Sequence, residues 1–64
     1  MSKLRAFRLE KKLSQFELGK AIGVSPICIS RYERGERKIS VDTAKKIALV
    51  LDIEWTSLFD EDGE

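Results

Sequence analysis

Four cationic side chains lie close together between residues 25 and 38, in the stretch SPICISRYERGERK. They are Arg31, Arg34, Arg37 and Lys38, and such groups bind phosphates and the acceptor edges of bases. Arg31 is the strongest candidate for reading a base, because a guanidinium can donate two hydrogen bonds at once to the acceptors of guanine. A basic surface of this kind favours recognition of nucleic acid over recognition of protein.

Three further candidates for contacting a base, all less polar than Arg31, precede it in the same stretch. Ile27 could contact a thymine methyl group, or it could be an apolar residue tolerated at the surface. Pro26 has no backbone donor, so shaping the start of a helix is the simplest role for it. Cys28 is expected to be an ordinary small side chain, with a redox switch as the less favoured alternative.

The composition argues against catalysis. The chain has no histidine and one cysteine, so it can form neither a Cys–His nor a Ser–His catalytic pair. It also has no glycine-rich loop of the kind that cradles phosphates in nucleotide-binding enzymes. A metal site is not expected without histidine and with a single thiol. We therefore expect a binding protein that is not an enzyme and has no cofactor.

The basic stretch begins with a short helix, and a second short helix comes before it. Ser25 is suited to cap the start of the later helix, and Gly35 ends it. The earlier helix opens at Ser14, whose spacing to Glu17 is that of a capping box, and it ends at Gly23. Two short helices joined by a tight glycine turn predict a helix-turn-helix, in which one helix braces a second that enters the major groove of DNA.

Gly19 lies in the interior of the earlier helix. A glycine there costs up to about 1 kcal/mol relative to alanine, so its presence indicates a packing reason. We expect Gly19 to let the two helices approach closely. A side chain larger than that of alanine should clash with the turn and tilt the recognition helix.

The whole chain reads as a single all-α domain of 64 residues. No segment shows the period-two alternation of a strand, whereas apolar residues recur at helical spacing. The predicted helices are about 2–11, 15–22, 26–34, 41–51 and 54–59, followed by an acidic tail at 60–64. So short a chain leaves no room for a ligand-sensing domain, and no small-molecule ligand is expected. Control through concentration, dimerisation or a separate protein is expected instead.

Charge is distributed unevenly although the net charge is only +1. Residues 1–38 hold ten Lys or Arg against four acidic residues, and residues 39–64 hold two against seven. This asymmetry would orient the molecule on a polyanion, although a mixed solvated surface is the alternative. No apolar run approaches the roughly 18 residues of a membrane span, and the N-terminus lacks the core of a secretion signal. A soluble cytoplasmic protein is expected.

Five motifs together resemble the phage repressor and Cro-type helix-turn-helix proteins, also called the XRE family. They are L-R-x-x-R, L-S-Q-x-x-L, A-I-G-V-S, I-S-R-Y-E-R-G and K-I-A-x-x-L-x-I, and the resemblance covers the chain from Leu4 to about Phe59. The resemblance implies a compact five-helix lambda-repressor-like fold. It also implies sequence-specific DNA binding, usually as a homodimer on a palindromic operator, for transcription regulation. Repression is the simplest mechanism, with activation as an alternative.

The resemblance also assigns roles to individual residues. Base contacts fall on Gln15, Ser25, Pro26, Ile27, Cys28 and Arg31. Phosphate contacts fall on Ser14, Gln15, Ser30, Arg34 and Lys38. Arg8 and Glu33 match a pair that forms a salt bridge in several family members, although two solvated charges are the alternative.

The sequence departs from the pattern of the family at Lys12, at Glu54 and on the recognition face, which has Pro26, Ile27 and Cys28 where polar residues are frequent. Lys12 stands where a glycine often ends the first helix, so this corner is expected to be strained or differently shaped. Glu54 stands where a Ser or Thr usually caps the fifth helix.

A homodimer interface is expected at Leu49 and Trp55, which the helical pattern leaves partly exposed. Trp55 coincides with the region through which many members of the resembled family dimerise. In the alternative, Trp55 folds back onto its own core. The principal rival function is that of a protein-interaction module, such as an antitoxin or an assembly domain with the same fold.

Overall fold

The computed structural model describes residues 3–59, so the expected acidic tail at 60–64 and residue 2 lie outside the described residues. Between residues 3 and 59 the chain forms four α-helices and one 3-10 helix, with no strand. The helices are α1 (Lys3–Glu10), α2 (Gln15–Ile22), α3 (Pro26–Glu33), α4 (Val41–Leu51) and a 3-10 helix (Trp55–Phe59). The prediction of an all-α fold is confirmed, and α2 and α4 have the predicted bounds.

The short fifth helix predicted at about 54–59 is present over Trp55–Phe59, as a 3-10 helix and not an α-helix. Its first bond runs from the Ser57 amide to the Glu54 carbonyl, three residues back, at 3.0 Å. Five residues without a capping hydroxyl at Glu54 are too few to sustain an α-helix, and 3-10 geometry is common in such short pieces. The count of five helices therefore holds only if this 3-10 helix is included.

Serine side chains fix where α2, α3 and α4 begin. Ser14 Oγ accepts a hydrogen bond from the Glu17 amide at 2.9 Å, and Glu17 Oε1 accepts one from the Ser14 amide at 2.8 Å. Ser25 and Ser40 each accept from the amide three residues on, at 3.1 Å. These local contacts satisfy helix donors that would otherwise be unpaired, which explains why the starts of α2, α3 and α4 were readable from sequence.

All four α-helices end in the same way, with a residue in the left-handed backbone conformation. These residues are Lys12 (φ 58°), Gly23 (φ 82°), Gly35 (φ 75°) and Asp52 (φ 57°). The amide of the next residue then donates to the carbonyl five residues before it, at 2.9–3.2 Å. This arrangement is the Schellman motif, which favours glycine at the left-handed position. Gly23 and Gly35 therefore suit their positions, whereas Lys12 and Asp52 carry a β-carbon into an unfavourable conformation.

One apolar core joins all five elements. Its buried members are Leu4, Leu18, Ile29, Ala44, Ile47, Ala48, Leu51 and Leu58. Partly buried apolar side chains, including Phe7, Val24, Tyr32 and Trp55, pack around this cluster. The core holds the inner side of α3 against α1 and α2, and so determines which side of α3 faces outward.

Gly19 is the point of closest approach between α2 and the turn that leads into α3. A β-carbon at this position would lie 2.5 Å from the Val24 carbonyl oxygen and 3.3 Å from the Ser25 carbonyl. The clash expected for side chains larger than that of alanine therefore already begins at the β-carbon of alanine. The obstacle is backbone, which cannot rotate away as a flexible side chain could.

Candidate nucleic-acid interface

Helix α3 presents two different sides to its surroundings. Ile29 is fully buried and Glu33 is only 9% exposed, so both face the interior. Ile27 is 65% exposed, and Arg31 and Arg34 are also exposed, at intervals of four and three residues. A projecting stripe thus runs along the outer side of α3, with one apolar and two cationic members.

The start of α3 adds two further exposed positions, Ser25 and Pro26. The Ser25 hydroxyl accepts from the Cys28 amide at 3.1 Å, and a hydroxyl that accepts still has its own hydrogen to donate. Pro26 occupies the first turn of α3, where its missing N–H leaves no helix bond unmade. Both residues are therefore accessible at the start of α3, and their role in contacting bases stays a prediction.

Cys28 is turned partly toward its own fold. The residue is half-buried, and a hydrogen bond with its side chain is the main cause that raises the pKa of Tyr32 above its ordinary value. Partial burial raises the pKa of Tyr32 further, while the charge of Arg37 and a hydrogen bond with Thr43 oppose the change. Cys28 is therefore placed less favourably for reaching a base than Ile27 or Arg31.

A buried ion pair joins α1 to the end of α3. Arg8 is 6% exposed, and its guanidinium donates through Nε to Glu33 Oε2 and through Nη2 to Glu33 Oε1 at 3.1 Å. Its remaining nitrogen, Nη1, donates to the Leu13 carbonyl at 2.8 Å. One side chain thus links α1, the turn before α2, and α3. The structure brings together the two residues that the resemblance paired.

Gln15 is also part of this network. Its Nε2 donates to Glu33 Oε1 at 3.0 Å. Because a carboxylate only accepts hydrogen bonds, the amide nitrogen of Gln15 must face Glu33, which fixes the orientation of the whole amide. Gln15 is half-buried at the first position of α2. No pattern in the sequence predicts this link, because the two residues are 18 positions apart.

A second, exposed network lies at the end of α3. Arg34 Nη1 donates to Ser30 Oγ at 2.7 Å, while Nε and Nη2 donate to the two carboxylate oxygens of Glu36 at 2.9 and 3.2 Å. The Arg34 guanidinium holds the pKa of Glu36 below its ordinary value, and the charge of Arg31 adds to this effect. Ser30 and Arg34 are two of the predicted phosphate contacts, and this network links them to Glu36. From the sequence, Glu36 was predicted only to contribute a negative charge to this part of the chain.

The two remaining predicted phosphate contacts lie on either side of this region. Ser14 is exposed at the start of α2, where its hydroxyl accepts from the Glu17 amide. Lys38 is exposed in the segment between α3 and α4, after the neighbouring Arg37. Both positions have a donor available to an anion that approaches α3 from outside.

Leu49 and Trp55 lie on one surface patch formed by α4 and the 3-10 helix. Leu49 is 85% exposed, and both residues line a shallow pocket of about 360 Å³. Trp55 is half-buried against the core, with its ring centroid 6.0 Å from that of Phe59 and 5.5 Å from Lys45 Nζ. Leu49 is therefore the side chain that projects from the patch. Trp55 is partly folded back onto the core, which is the alternative expected for it.

None of the helices within residues 3–59 has the length and apolar character that a membrane span requires.

The sequence and the fold of the chain match those of known helix-turn-helix proteins. Residues 4–58 match the sequence model of a family described as Helix-turn-helix. The chain is 38% identical over 58 residues to the uncharacterized HTH-type transcriptional regulator YqaF of Bacillus subtilis (strain 168), covering 91% of this chain and 76% of YqaF. It also resembles the solved N-terminal DNA binding domain of SinR from Bacillus subtilis, with a TM-score of 0.83, 32% identity, and coverage of 97% and 91% of the two chains. The chain therefore belongs to the helix-turn-helix family of the XRE type, as its motifs indicated.

Proposed function

We propose that this chain is a sequence-specific DNA-binding transcriptional regulator that places α3 in the major groove. The observation that carries this proposal is the exposure of the outer side of α3, with Ile27 65% exposed and Arg31 and Arg34 projecting beside it. A helix of this size fits the major groove, where base edges carry a distinct pattern for each base pair. Similarity to YqaF, described as a transcriptional regulator, and to the DNA binding domain of SinR supports the same function.

Base reading is assigned to the start and outer side of α3. Arg31 pairs with a guanine and Ile27 contacts a thymine methyl group, while Ser25, Pro26 and Cys28 shape the approach to neighbouring bases. Gln15 reaches the DNA from the start of α2, with its amide oriented by Glu33. Phosphate contacts are assigned to Ser14, Gln15, Ser30, Arg34 and Lys38. These roles follow the usual division, in which phosphate contacts position a protein and base contacts select the sequence.

The regulator acts as a homodimer on a palindromic operator in the cytoplasm. The exposed Leu49 supplies the anchor of the interface, with Trp55 beside it. Two copies of α3 about 34 Å apart then read half-sites one helical turn apart. Repression by occluding a promoter is the simplest outcome, because no further domain is needed for it.

Selection of bound duplexes from a random DNA pool tests this function. We expect a palindrome whose half-sites contain guanine, and Arg31→Ala should lose about 1–3 kcal/mol of discrimination at that guanine. Lys38→Ala is the matched control: it should weaken binding to all sequences and reduce the log–log salt slope by about 0.9. Flat salt dependence, or no enriched sequence, would contradict the proposal.

A protein-interaction module is the second candidate. It is favoured by the exposed apolar side chains Ile27 and Leu49, which are 65% and 85% exposed. Such a module would hold a partner through α3 and would show little dependence on salt. Arg31 and Arg34, which follow Ile27 on the outer side of α3, make DNA the better supported partner.

A further inference from the structure

The end of α3 fixes the position of Glu36. With Gly35 in the left-handed conformation, the Gly35 amide donates to the Tyr32 carbonyl at 3.2 Å and the Glu36 amide donates to the Arg31 carbonyl at 2.9 Å. These two bonds are those of a complete Schellman motif, so the backbone of residue 36 is anchored to α3. The Glu36 side chain therefore starts from a defined point beside the last turn of the proposed recognition helix.

From this position the carboxylate of Glu36 engages Arg34 through both of its oxygens, at 2.9 and 3.2 Å. A guanidinium binds carboxylates and phosphates with the same paired geometry. The two anions thus compete for the same face of Arg34. Both side chains are more than half exposed, at 56% and 54%, so a DNA phosphate can reach the pair directly.

We propose that Glu36 is an internal competitor for the phosphate-binding guanidinium of Arg34 and thereby lowers the affinity of the domain for DNA. This inference rests on the proposed DNA-binding function. When a phosphate binds Arg34, its oxygens replace those of Glu36, whose carboxylate is then left beside a like charge. Because phosphates carry no sequence information, the effect applies to every duplex alike.

The opposite role for Glu36 predicts an opposite sign. If Glu36 served to orient Arg34 for a phosphate, its removal would weaken DNA binding. Ser30 already accepts from Arg34 Nη1 at 2.7 Å and holds the guanidinium on the side away from Glu36. Orientation therefore survives the loss of Glu36, and competition is the effect that remains.

The test compares Glu36→Gln with Glu10→Gln, which removes the same charge from an exposed position on α1. Binding to a mixed-sequence DNA duplex is measured by fluorescence anisotropy over a series of salt concentrations. Relative to Glu10→Gln, Glu36→Gln should bind about two- to fivefold more tightly, the range typical of one exposed ion pair. Its log–log salt slope should steepen by up to about 0.9, because Arg34 engages a phosphate more fully. In an Arg34→Gln background the advantage of Glu36→Gln should disappear.

Three results of the binding experiment would overturn this inference and leave the proposed function standing. They are equal affinity of the two Gln variants, weaker binding by Glu36→Gln, and an advantage that persists with Arg34→Gln, which would indicate a general field effect. A titration of the Glu36 carboxyl by NMR without DNA supplies a separate readout: its pKa should lie below the ordinary value and return toward it in Arg34→Gln. A normal pKa in the unmodified chain would also overturn the inference, while salt-independent binding of that chain would overturn the proposed function as well.

Discussion

The Arg8–Glu33 pair connects the interior of the molecule to its proposed DNA-binding surface. Glu33 accepts from Arg8 on the inner side of α3 and from Gln15 at the start of α2. Buried charges are costly unless they are paired and fully hydrogen-bonded, and none of the buried side-chain polar atoms in the described part of the chain is without a partner. The ion pair therefore fixes the orientation of the Gln15 side chain, because Gln15 Nε2 must face Glu33 as long as Glu33 remains in place.

Removing one member of this pair should be much more harmful than removing an exposed charge. Arg8→Met keeps an unbranched apolar chain but leaves the Glu33 carboxylate buried without its cation, so we expect a loss of about 3–5 kcal/mol in the free energy of unfolding. Lys11→Met, at an exposed position, should change it by no more than about 0.5 kcal/mol. Urea denaturation followed by circular dichroism measures both. Similar losses from the two variants would mean that the pair is solvated in solution.

Replacement of Lys12 by glycine should stabilise the domain. Its φ of 58° places a β-carbon in the left-handed region, whereas glycine adopts this conformation without penalty. Lys12→Gly should therefore raise the free energy of unfolding by about 1 kcal/mol. Lys11→Gly removes the same charge at the preceding residue, which is not in the left-handed conformation, and should bring no gain. Thermal unfolding of both variants checks this prediction. It would be wrong if neither variant, or if both variants, were more stable than the unmodified chain.

At the scale of the elements, the packing of α2 against the turn before α3 sets the angle of the recognition helix. Helix propensity alone predicts that Gly19→Ala stabilises the domain by up to about 1 kcal/mol. The Val24 carbonyl oxygen, 2.5 Å from the added β-carbon, predicts instead a loss of about 1–3 kcal/mol. The sign of the change in unfolding free energy, measured in urea, decides between the two effects.

Lys20→Ala, one residue further along α2, controls for the general effect of alanine there. Lys20 is exposed, so its replacement should change stability by no more than about 0.5 kcal/mol. A stabilised Gly19→Ala would show that the turn before α3 shifts at little cost. The close approach would then not determine where α3 lies.

Local chemistry explains which elements could be predicted from sequence. The starts of α2 and α4 depend on Ser14 and Ser40, which act on amides three residues away, and both helices have the predicted bounds. The last element could be predicted only as a short helix, because apolar spacing over so few residues does not distinguish a 3-10 helix from an α-helix. Links between distant residues, such as Gln15 with Glu33, depend on how helices cross, and sequence periodicity carries no such information.

At the scale of the whole molecule, the proposed DNA-binding surface and the proposed dimer surface lie on different elements. The cationic stripe runs along α3, while Leu49 projects from α4 and Trp55 lies at the start of the 3-10 helix. Ile47 and Leu51 of α4 are fully buried, so Leu49 between them must face outward. Two copies can therefore pair through α4 without covering α3, which is what binding to two half-sites requires.

Leu49→Glu should separate dimerisation from folding and from half-site recognition. Because Leu49 is 85% exposed, the charge should leave the thermal stability of the monomer unchanged while it prevents burial of this patch in a dimer. Affinity for a palindromic site should fall by about 100-fold as the second half-site no longer adds avidity, whereas affinity for a single half-site should stay the same. Leu9→Glu, at a half-exposed position on α1, is the matched control and should leave the dimer intact. Sedimentation of the unmodified chain as a monomer at tens of micromolar, with one copy on the palindrome, would instead place the domain among regulators that bind DNA singly.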